Sequence, residues 1–560
     1  MDYKPSKYQE AIYDFVENGS GNGVVNAVAG SGKTYTLIQC AKRIPEDKEI
    51  LICAFNRSIK EELTKKTENN LPNVTVGTFH SLGYKILREN GIITGKLTPN
   101  GRKYYSHIKQ TYTILPQKII DTIEIDGEGM TDEEYALAMM DEQKKALTEY
   151  QNTILALVNF GRCYLCKDKA GLGRVARRYQ IECKGDEKKR ALEVMEWSKG
   201  YTWDLDYGDL VWYPNALNLS PSKTYDWILV DECQDLNSEE RELVLKFKGS
   251  NTRMICFGDP NQAIYSFSGA DINSFRKLQR SPHTKSLPLS ITYRCPKNVV
   301  EFVKKTLGKK DFYWNTERED DGEVKVECLL KDVQDSDMIL CKNNAPLAGI
   351  YIRLIKDGRN ARILGKDAFK SLLKMIDNSK ETDLEIEMGR KGVISFAYDK
   401  LFQVVYRYQK KYDIPTCEAI ESDEVSSLLD RIKTLEILSE GLKTAQELKD
   451  LIDSIPSDGD GIILSTIHKA KGLEAPNVYC AGMELFDNRH TFWYPDWQKK
   501  QDENLKYVMF TRPKNNLCFL AKTEYDVDDD YGEDFKWYKV RWDRVNDLYG
   551  RKRSWRYKED

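Results

Sequence analysis

"NAVAGSGKTYTLIQ", residues 26–39, decides the fold. Gly30, Ser31 and Gly32 favour a turn, and Lys33 and Thr34 follow it directly. Upstream, "GVVNAV" reads as a short apolar strand; downstream, "TYTLIQCAKRI" reads as a helix. A strand, a glycine-rich turn and a helix in this order let the backbone N–H groups from Ala29 to Gly32 wrap phosphate oxygens, and the helix N-terminus adds favourable partial charge. Lys33 is placed to reach the β and γ phosphates, and the Thr34 hydroxyl to ligate Mg²⁺. Ala27 stands where the first glycine of such a loop is usual. The expectation is a nucleoside triphosphate site.

Composition narrows what that triphosphate can serve. Lys and Arg number 85 against 88 Asp and Glu, a net charge of −3, which excludes a polycationic coat for nucleic acid and leaves any such partner to a local groove. A length of 560 residues suits three or four domains. The 13 cysteines are an odd number, many of them in apolar runs such as "ILICAF" and "MICFGD", which suits reduced, buried thiols rather than a disulfide framework. No signal peptide and no 18-residue apolar run is read, so no membrane partner is expected.

Short apolar strands alternate with amphipathic helices, the pattern of parallel α/β layers. Strand candidates are "EILICAF" (49–55), "VTVGT" (74–78), "DWILVDE" (226–232) and "RMICFGD" (253–259), then "DMILC" (337–341), "GIILST" (461–466), "NVYCAG" (477–482) and "NLCFLA" (516–521). Long helical stretches rich in Lys, Glu and Leu interrupt each set. The division expected is a first core at 1–88 and 200–280 with a helical insertion at 89–199. A second core follows at 281–370 and 456–525 with a shorter insertion at 371–455, and then a charged tail at 526–560.

"ILVDECQD" (228–235) puts two adjacent carboxylates at the end of a buried strand, a costly arrangement unless a cation or a proton transfer uses them. Asp231 is placed to hold Mg²⁺ through water, and Glu232 to orient and deprotonate an attacking water.

Six segments then occur in order: "VGTFHSLGYKIL" (76–87), "VDECQD", "FGDPNQAIYSFSGAD" (257–271), "LSITYRCP" (289–296), "STIHKAKGLEAPNV" (465–478) and "ENLKYVMFTRPKNNL" (503–517). The chain resembles the UvrD/Rep/PcrA-type superfamily 1 DNA helicases. "CAFNRSIKEEL" (53–63) and "VTVGTFHSLGY" lean towards the F-box DNA helicase branch and its phage and bacterial relatives. The resemblance implies two RecA-like parallel-sheet cores of the P-loop NTPase type, with ATP and Mg²⁺ bound between them.

It also implies roles for particular residues. Gln9 would read adenine, because an amide offers both a donor and an acceptor. Tyr293 would stack on adenine, and Gly472 and Glu474 would lie at the ribose. Gln262 would touch the γ-phosphate or its water. Arg294, from the second core, and Arg512 would spread charge on the transferring phosphoryl group. Single strands are gripped by aromatic platforms along a cationic track. The expected contacts are Phe55, Asn56, Thr78, Phe79 and His80 at the ends of first-core strands, Tyr265 and Phe267 after Gln262, and His468 and Lys469 in the second core. Phe267 stands where many relatives carry Trp.

The function expected is a 3′→5′ single-stranded DNA translocase and helicase, of use in repair or recombination, acting at duplex junctions as a monomer or transient dimer. The alternative is a DNA-stimulated ATPase switch that remodels or recruits partners without unwinding. The expected location is a bacterial or phage-infected cytoplasm, or a eukaryotic nucleus, and no loading partner can be named. Cys163, Cys166 and Cys183 could begin a zinc site, but no fourth ligand is evident, and Cys163 and Cys166 also fit one buried helix face. Arg102, Lys103, Tyr104, Tyr105 and Lys109 read either as accessory DNA contacts or as a solvated helix face. Arg551, Lys552, Arg553, Trp555 and Arg556 read as DNA or partner contacts or as a solvated tail.

Overall fold

The computed structural model describes residues 4–68, 71–125, 129–271, 273–308, 314–365, 367–384, 392–412, 422–486 and 496–525. The charged tail at 526–560, with Arg551, Lys552, Arg553, Trp555 and Arg556, lies outside the described residues.

The first sheet takes β1 (Asn22–Ala27), β2 (Ile50–Ala54), β3 (Val74–Thr78), β4 (Tyr225–Val230), β5 (Lys248–Gly258) and β6 (Thr284–Leu289) in the order β3-β2-β4-β5-β1-β6. Every pairing is parallel. β2 is buried at every position, as a strand covered by helices on both faces must be, and so it reads as an unbroken apolar run. Parallel strands aim their C-terminal ends at one edge of the sheet. That edge gathers the residues that follow Ala27, Ala54, Thr78, Val230 and Gly258.

One strand pair and a second sheet complete the β structure among the described residues. β7 (Ile291–Thr292) pairs with β8 (Asn315–Thr316). The second sheet takes β9 (Glu323–Cys328), β10 (Met338–Cys341), β11 (Ala361–Ile363), β12 (Ile462–Thr466), β13 (Ala475–Cys480) and β14 (Pro513–Leu520) in the order β11-β12-β10-β13-β14-β9, again all parallel. Four helices between β11 and β12 form its insertion: Asp367–Ser379, Val393–Tyr412, Asp423–Ser439 and Ala445–Ser454. Their apolar faces share one core with the sheet, through Leu372, Ala397, Ile432 and Leu448 against Ile339, Ile462 and Leu464.

The chain divides into Met1–Gly322 with Tyr494–Thr511, and Glu323–Trp493 with Arg512–Asp560. The expected boundary at 280 is therefore corrected. "TKSLPL" forms an edge strand that pairs with β1 along its length, from Asn22 with Thr284 to Ala27 with Leu289. Its half-exposed, lysine- and proline-bearing pattern hid it in the sequence.

The first insertion lies between β3 and β4. Its helices are Lys103–Thr111, Gln117–Ile120, Asp132–Cys163, Lys169–Arg178, Glu187–Gly200 and Tyr207–Ala216. Ile154, Leu157, Leu172, Ala191 and Val194 form its core. It is locked to the sheet by a close helix crossing. A Cβ placed on Gly83, in helix Phe79–Glu89, would sit 1.8 Å from the Leu210 carbonyl oxygen of helix Tyr207–Ala216.

Candidate nucleotide site and aromatic track

The phosphate loop leaves β1 and turns through Gly30 and Gly32, both left-handed, with φ +70° and +75°. Gly30 also has no room for a side chain, since a Cβ there would meet the Arg294 Cβ at 2.5 Å and Thr292 Oγ1 at 2.7 Å. Gly32 caps helix Lys33–Ala41 and turns its first N–H groups towards the loop. Inside the loop the buried Ser31 hydroxyl has no hydrogen-bond partner among the described residues.

Lys33 reaches across to the acid pair, its Nζ 2.6 Å from Glu232 Oε1. Burial works against its ammonium, but the carboxylates of Glu232, Asp231 and Asp259 outweigh it and raise the pKa. Asp231 ends up buried at the tip of β4, and burial first, then the neighbouring Glu232, push its carboxyl up to about 6. Glu232 itself is a non-glycine residue at φ 51°, ψ 40°. Such left-handed strain persists only where surroundings enforce it, and it clusters at functional positions.

Gln234 is one enforcing neighbour that the sequence reading did not single out, although it stands inside the quoted "VDECQD". Its Nε2 donates to Glu232 and, at 3.1 Å, to Asp235, while its Oε1 accepts the Asp259 N–H at 3.0 Å. Asp259 in turn accepts from Gln262 Nε2 at 2.8 Å. A hydrogen-bonded path thus runs from Glu232 through Gln234 and Asp259 to Gln262.

Gln9 is fully buried rather than held open at the surface. Its Oε1 accepts the Ser6 N–H in a capping box and the Tyr293 hydroxyl at 3.2 Å, and its Nε2 donates to Thr36 Oγ1 at 3.1 Å. Arg294 belongs to the first unit, not to the second core as expected. It follows β7, and its guanidinium donates to the Thr511 carbonyl at 3.3 Å. Helix Asp496–Phe510 supplies two more partners that only tertiary structure reveals. The Tyr507 hydroxyl accepts the Ala29 N–H at 3.0 Å, and Asn504 Nδ2 donates to the Ala263 carbonyl at 2.8 Å.

Phe55, Tyr265 and Phe267 form an aromatic run at the same sheet edge. Phe55 and Tyr265 stack at 5.4 Å and 21°, and Tyr265 meets Phe267 at 6.3 Å and 52°. The Phe267 ring is 50% exposed. Beside it, Tyr179 of the insertion donates its hydroxyl to the Ser266 carbonyl at 3.0 Å. His80 is exposed, with its ring edge-on to Tyr207 at 6.5 Å. Asn56 and Thr78 cap helices Arg57–Thr67 and Phe79–Glu89 through their side-chain oxygens.

Phe79 does not join the track. It is 1% exposed and packs in the core with Leu51, Leu82 and Ile228, so its expected DNA contact is corrected to a packing role. The first helical residue turned inward because the cap on Thr78 fixes the entry of its helix.

In the second unit, Gly472 adopts φ +87° and the exposed Glu474 pairs with Lys514 at 2.7 Å. Arg512 is buried and donates to the Leu473 carbonyl at 3.3 Å. Lys469 Nζ donates to the Gly365 carbonyl at 2.8 Å, and His468 is half-buried beside it.

The reading of Lys103 and Tyr104 as accessory contacts or a solvated face is also corrected. Both are buried in a polar network: Lys103 lies 2.7 Å and Arg162 3.0 Å from Asp209, Tyr104 donates to Asp209, and Arg162 holds Asp206 at 2.9 Å. A buried charge persists only when paired this fully. Tyr105 and Arg102 are exposed, and Lys109 lies 5.7 Å from the Tyr105 ring. The three candidate zinc cysteines are separately engaged: Cys163 packs at Gly269, Cys166 at Gly171, and Cys183 Sγ faces the Ile181 carbonyl. Among the described residues no group of three or more His, Cys, Asp or Glu is placed to hold a metal ion.

The donor set fits a magnesium-bound triphosphate. The loop amides and the Ser31 hydroxyl suit phosphate oxygens, and Thr34 and Asp231 offer the oxygen ligands a hard cation takes. Fold and site together define a P-loop NTPase with two parallel-sheet units.

Residues 9–283 match the UvrD/REP helicase N-terminal domain, and residues 349–524 the UvrD-like helicase C-terminal domain. The chain is 25% identical over 526 residues to F-box DNA helicase protein 1 of Schizosaccharomyces pombe, covering 88% of this chain and 55% of that protein. It is 23% identical over 649 residues to the ATP-dependent DNA helicase PcrA of Staphylococcus aureus, covering 91% and 82%. It spans about half the length of the first relative and most of the second. The chain belongs to the UvrD-like superfamily 1 helicases, a family of ATP-hydrolysing enzymes. No helix among the described residues is long and apolar enough to cross a membrane.

Proposed function

We propose that the chain hydrolyses ATP at the first unit's phosphate loop to move 3′→5′ along single-stranded DNA and unwind duplex at junctions. The observation that carries this reading is the run from Gln262 to Phe267. At one end Gln262 is tied through Asp259 and Gln234 to Glu232; five residues on, Phe267 holds its ring half in water beside Tyr265. A change at the acid pair can thus move a base-stacking ring.

Magnesium-bound ATP supplies the phosphoryl group to be transferred. The amides of Ala29 to Thr34 and the Lys33 ammonium hold its phosphates, Thr34 and Asp231 its cation, and Gln9 and Tyr293 its base. Glu232, held by Gln234, accepts the proton of the attacking water. Arg294 offers guanidinium donors for the charge that develops on the phosphoryl oxygens. Gly472, Glu474, Arg512, His468 and Lys469 keep the roles the family resemblance implies. The working form is a monomer or transient dimer at a DNA junction, in a bacterial cytoplasm or a nucleus.

The test is strand displacement on duplexes carrying a 3′ or a 5′ single-stranded tail, with ATPase measured alongside. Displacement from the 3′-tailed duplex alone is expected. Displacement from the 5′ tail alone would overturn the polarity. Strand-stimulated hydrolysis with no displacement of either would make the protein an ATPase switch.

A further inference from the structure

We propose that Tyr179, just past the insertion helix Lys169–Arg178, is a positioning residue for strand binding, its hydroxyl fixing the turn that carries Phe267. The inference rests on the strand-binding reading above and gives the helical insertion a part in it.

Phe267 sits in one short helical turn, Ser266–Ser268, whose base is buried while its ring stands in water: Ser266 is 1% exposed and Phe267 50%. Within the turn the Ser268 N–H donates to the Tyr265 carbonyl at 3.0 Å, and the Gly269 N–H to the Ser266 carbonyl at 3.2 Å. A carbonyl oxygen has two lone pairs, and the second one at Ser266 takes the Tyr179 hydroxyl at 3.0 Å. Since a carbonyl only accepts, the single Tyr179 proton goes to Ser266. Tyr164, its hydroxyl 2.9 Å away, is then the donor to the Tyr179 oxygen. The insertion meets the segment twice more. A Cβ on Gly269 would lie 3.0 Å from Cys163 Sγ, and Arg178 Nη1 is 3.8 Å from Asp271.

Tyr179 is itself held from two sides. Phe160 stacks on its ring at 3.9 Å and 13°, and Trp497 meets it at 5.7 Å and 58°. The Trp497 indole N–H donates at 2.8 Å to the Arg178 carbonyl, one of the groups that the end of a helix leaves without an intrahelical partner. Trp497 stands near the start of helix Asp496–Phe510, whose Asn504 and Tyr507 reach Ala263 and Ala29, so one helix touches both the clamp on Tyr179 and the phosphate loop. The ring of Tyr179 thus has its packing from Phe160 and Trp497, and its oxygen has a separate task. Removing the oxygen alone leaves the packing in place and frees the turn. A stacking ring on a fixed turn binds a base at less cost in ordering entropy than one on a loose turn.

The experiment is fluorescence anisotropy with a labelled oligothymidylate, with melting temperatures measured alongside. The proteins are wild type, Tyr179→Phe, Phe267→Ala and the double variant Tyr179→Phe/Phe267→Ala. Tyr179→Phe keeps both ring contacts and is expected to melt as wild type does, yet to bind the strand more weakly by about two- to tenfold, the worth of one hydrogen bond. In the Phe267→Ala background the same change is expected to cost nothing further, because the turn no longer presents a ring. A packing role would not produce that dependence on Phe267. Unchanged strand affinity in Tyr179→Phe would overturn the proposal, as would a loss of equal size with and without Phe267. If Tyr179→Phe melts early, Trp497→Phe takes its place in the cycle with the same expectation, since it keeps a ring and removes only the indole N–H. A wild type that binds no oligothymidylate would defeat the strand-binding reading and this proposal together; a wild type and a Tyr179→Phe variant that bind equally well would defeat this proposal alone.

Discussion

At the scale of single residues, the Lys33–Glu232 pair and Asp231 set both chemistry and stability. Glu232→Gln keeps the side chain's size but removes the base, so hydrolysis is expected to fall by at least ~100-fold while ATP still binds. Lys33→Ala is expected to abolish turnover and also to lower the melting temperature, because Asp231 and Glu232 lose their shared counter-charge inside the fold. Adding Glu232→Gln to Lys33→Ala should recover part of that loss, and a double-mutant cycle by thermal melting measures it. Asp231 acts in the opposite direction. Its folded carboxyl titrates near 6 against about 3.9 in an unfolded chain, so the fold binds this proton more tightly. Stability from this group is fully present below about pH 4 and is lost as pH rises through about 6. Asp231→Asn, which cannot ionise, should therefore gain on wild type across that window. At pH 8 it should be more stable by roughly 1–3 kcal/mol, though inactive. Melting curves at pH 4 and pH 8 check the sign.

At the scale of elements, the contact of helices Phe79–Glu89 and Tyr207–Ala216 decides whether the insertion reports on the sheet edge. By helix propensity alone, Gly83→Ala would stabilise by up to about 1 kcal/mol. The Cβ would meet the Leu210 carbonyl at 1.8 Å, so the substitution is expected instead to destabilise, and chemical denaturation reads the sign directly. Elements whose signal is local were legible in the sequence. The phosphate loop announces itself by glycines between a strand and a helix, and β3 was read to the residue, at 74–78. β6, β9 and β11 were not, because two are half-exposed edge strands and the third has only Ala361, Arg362 and Ile363. Lys103 and Tyr104 look like a wet helix face until Asp209, more than a hundred residues on, is folded against them. Tyr507 and Asn504 were hidden for the same reason, since nothing local ties them to Ala29 or Ala263.

At the scale of the whole molecule, a motor differs from an ATPase in passing events at the acid pair to the strand. Phe267→Ala tests that passage. The ring is half exposed, so the melting temperature is expected to hold. Grip on single strands should weaken by roughly tenfold or more, at about 1–3 kcal/mol per stacked base. Strand displacement should fall further than hydrolysis. A parallel loss of stability and every activity would make Phe267 a packing residue instead. Another consequence lies in the order in which the chain is made. The first unit is not finished at Gly322; it waits for Tyr494–Thr511, whose helix supplies the partners of Ala29, Pro260 and Ala263. On a ribosome that adds 5–20 residues per second, those partners arrive about 190 residues later, after roughly 10–40 s. Throughout that interval the nascent first unit keeps a helix-sized gap beside its phosphate loop, a ready target for chaperones. A gene cut after residue 322 would leave that gap permanently open, whereas supplying the missing helix as a separate peptide should close it.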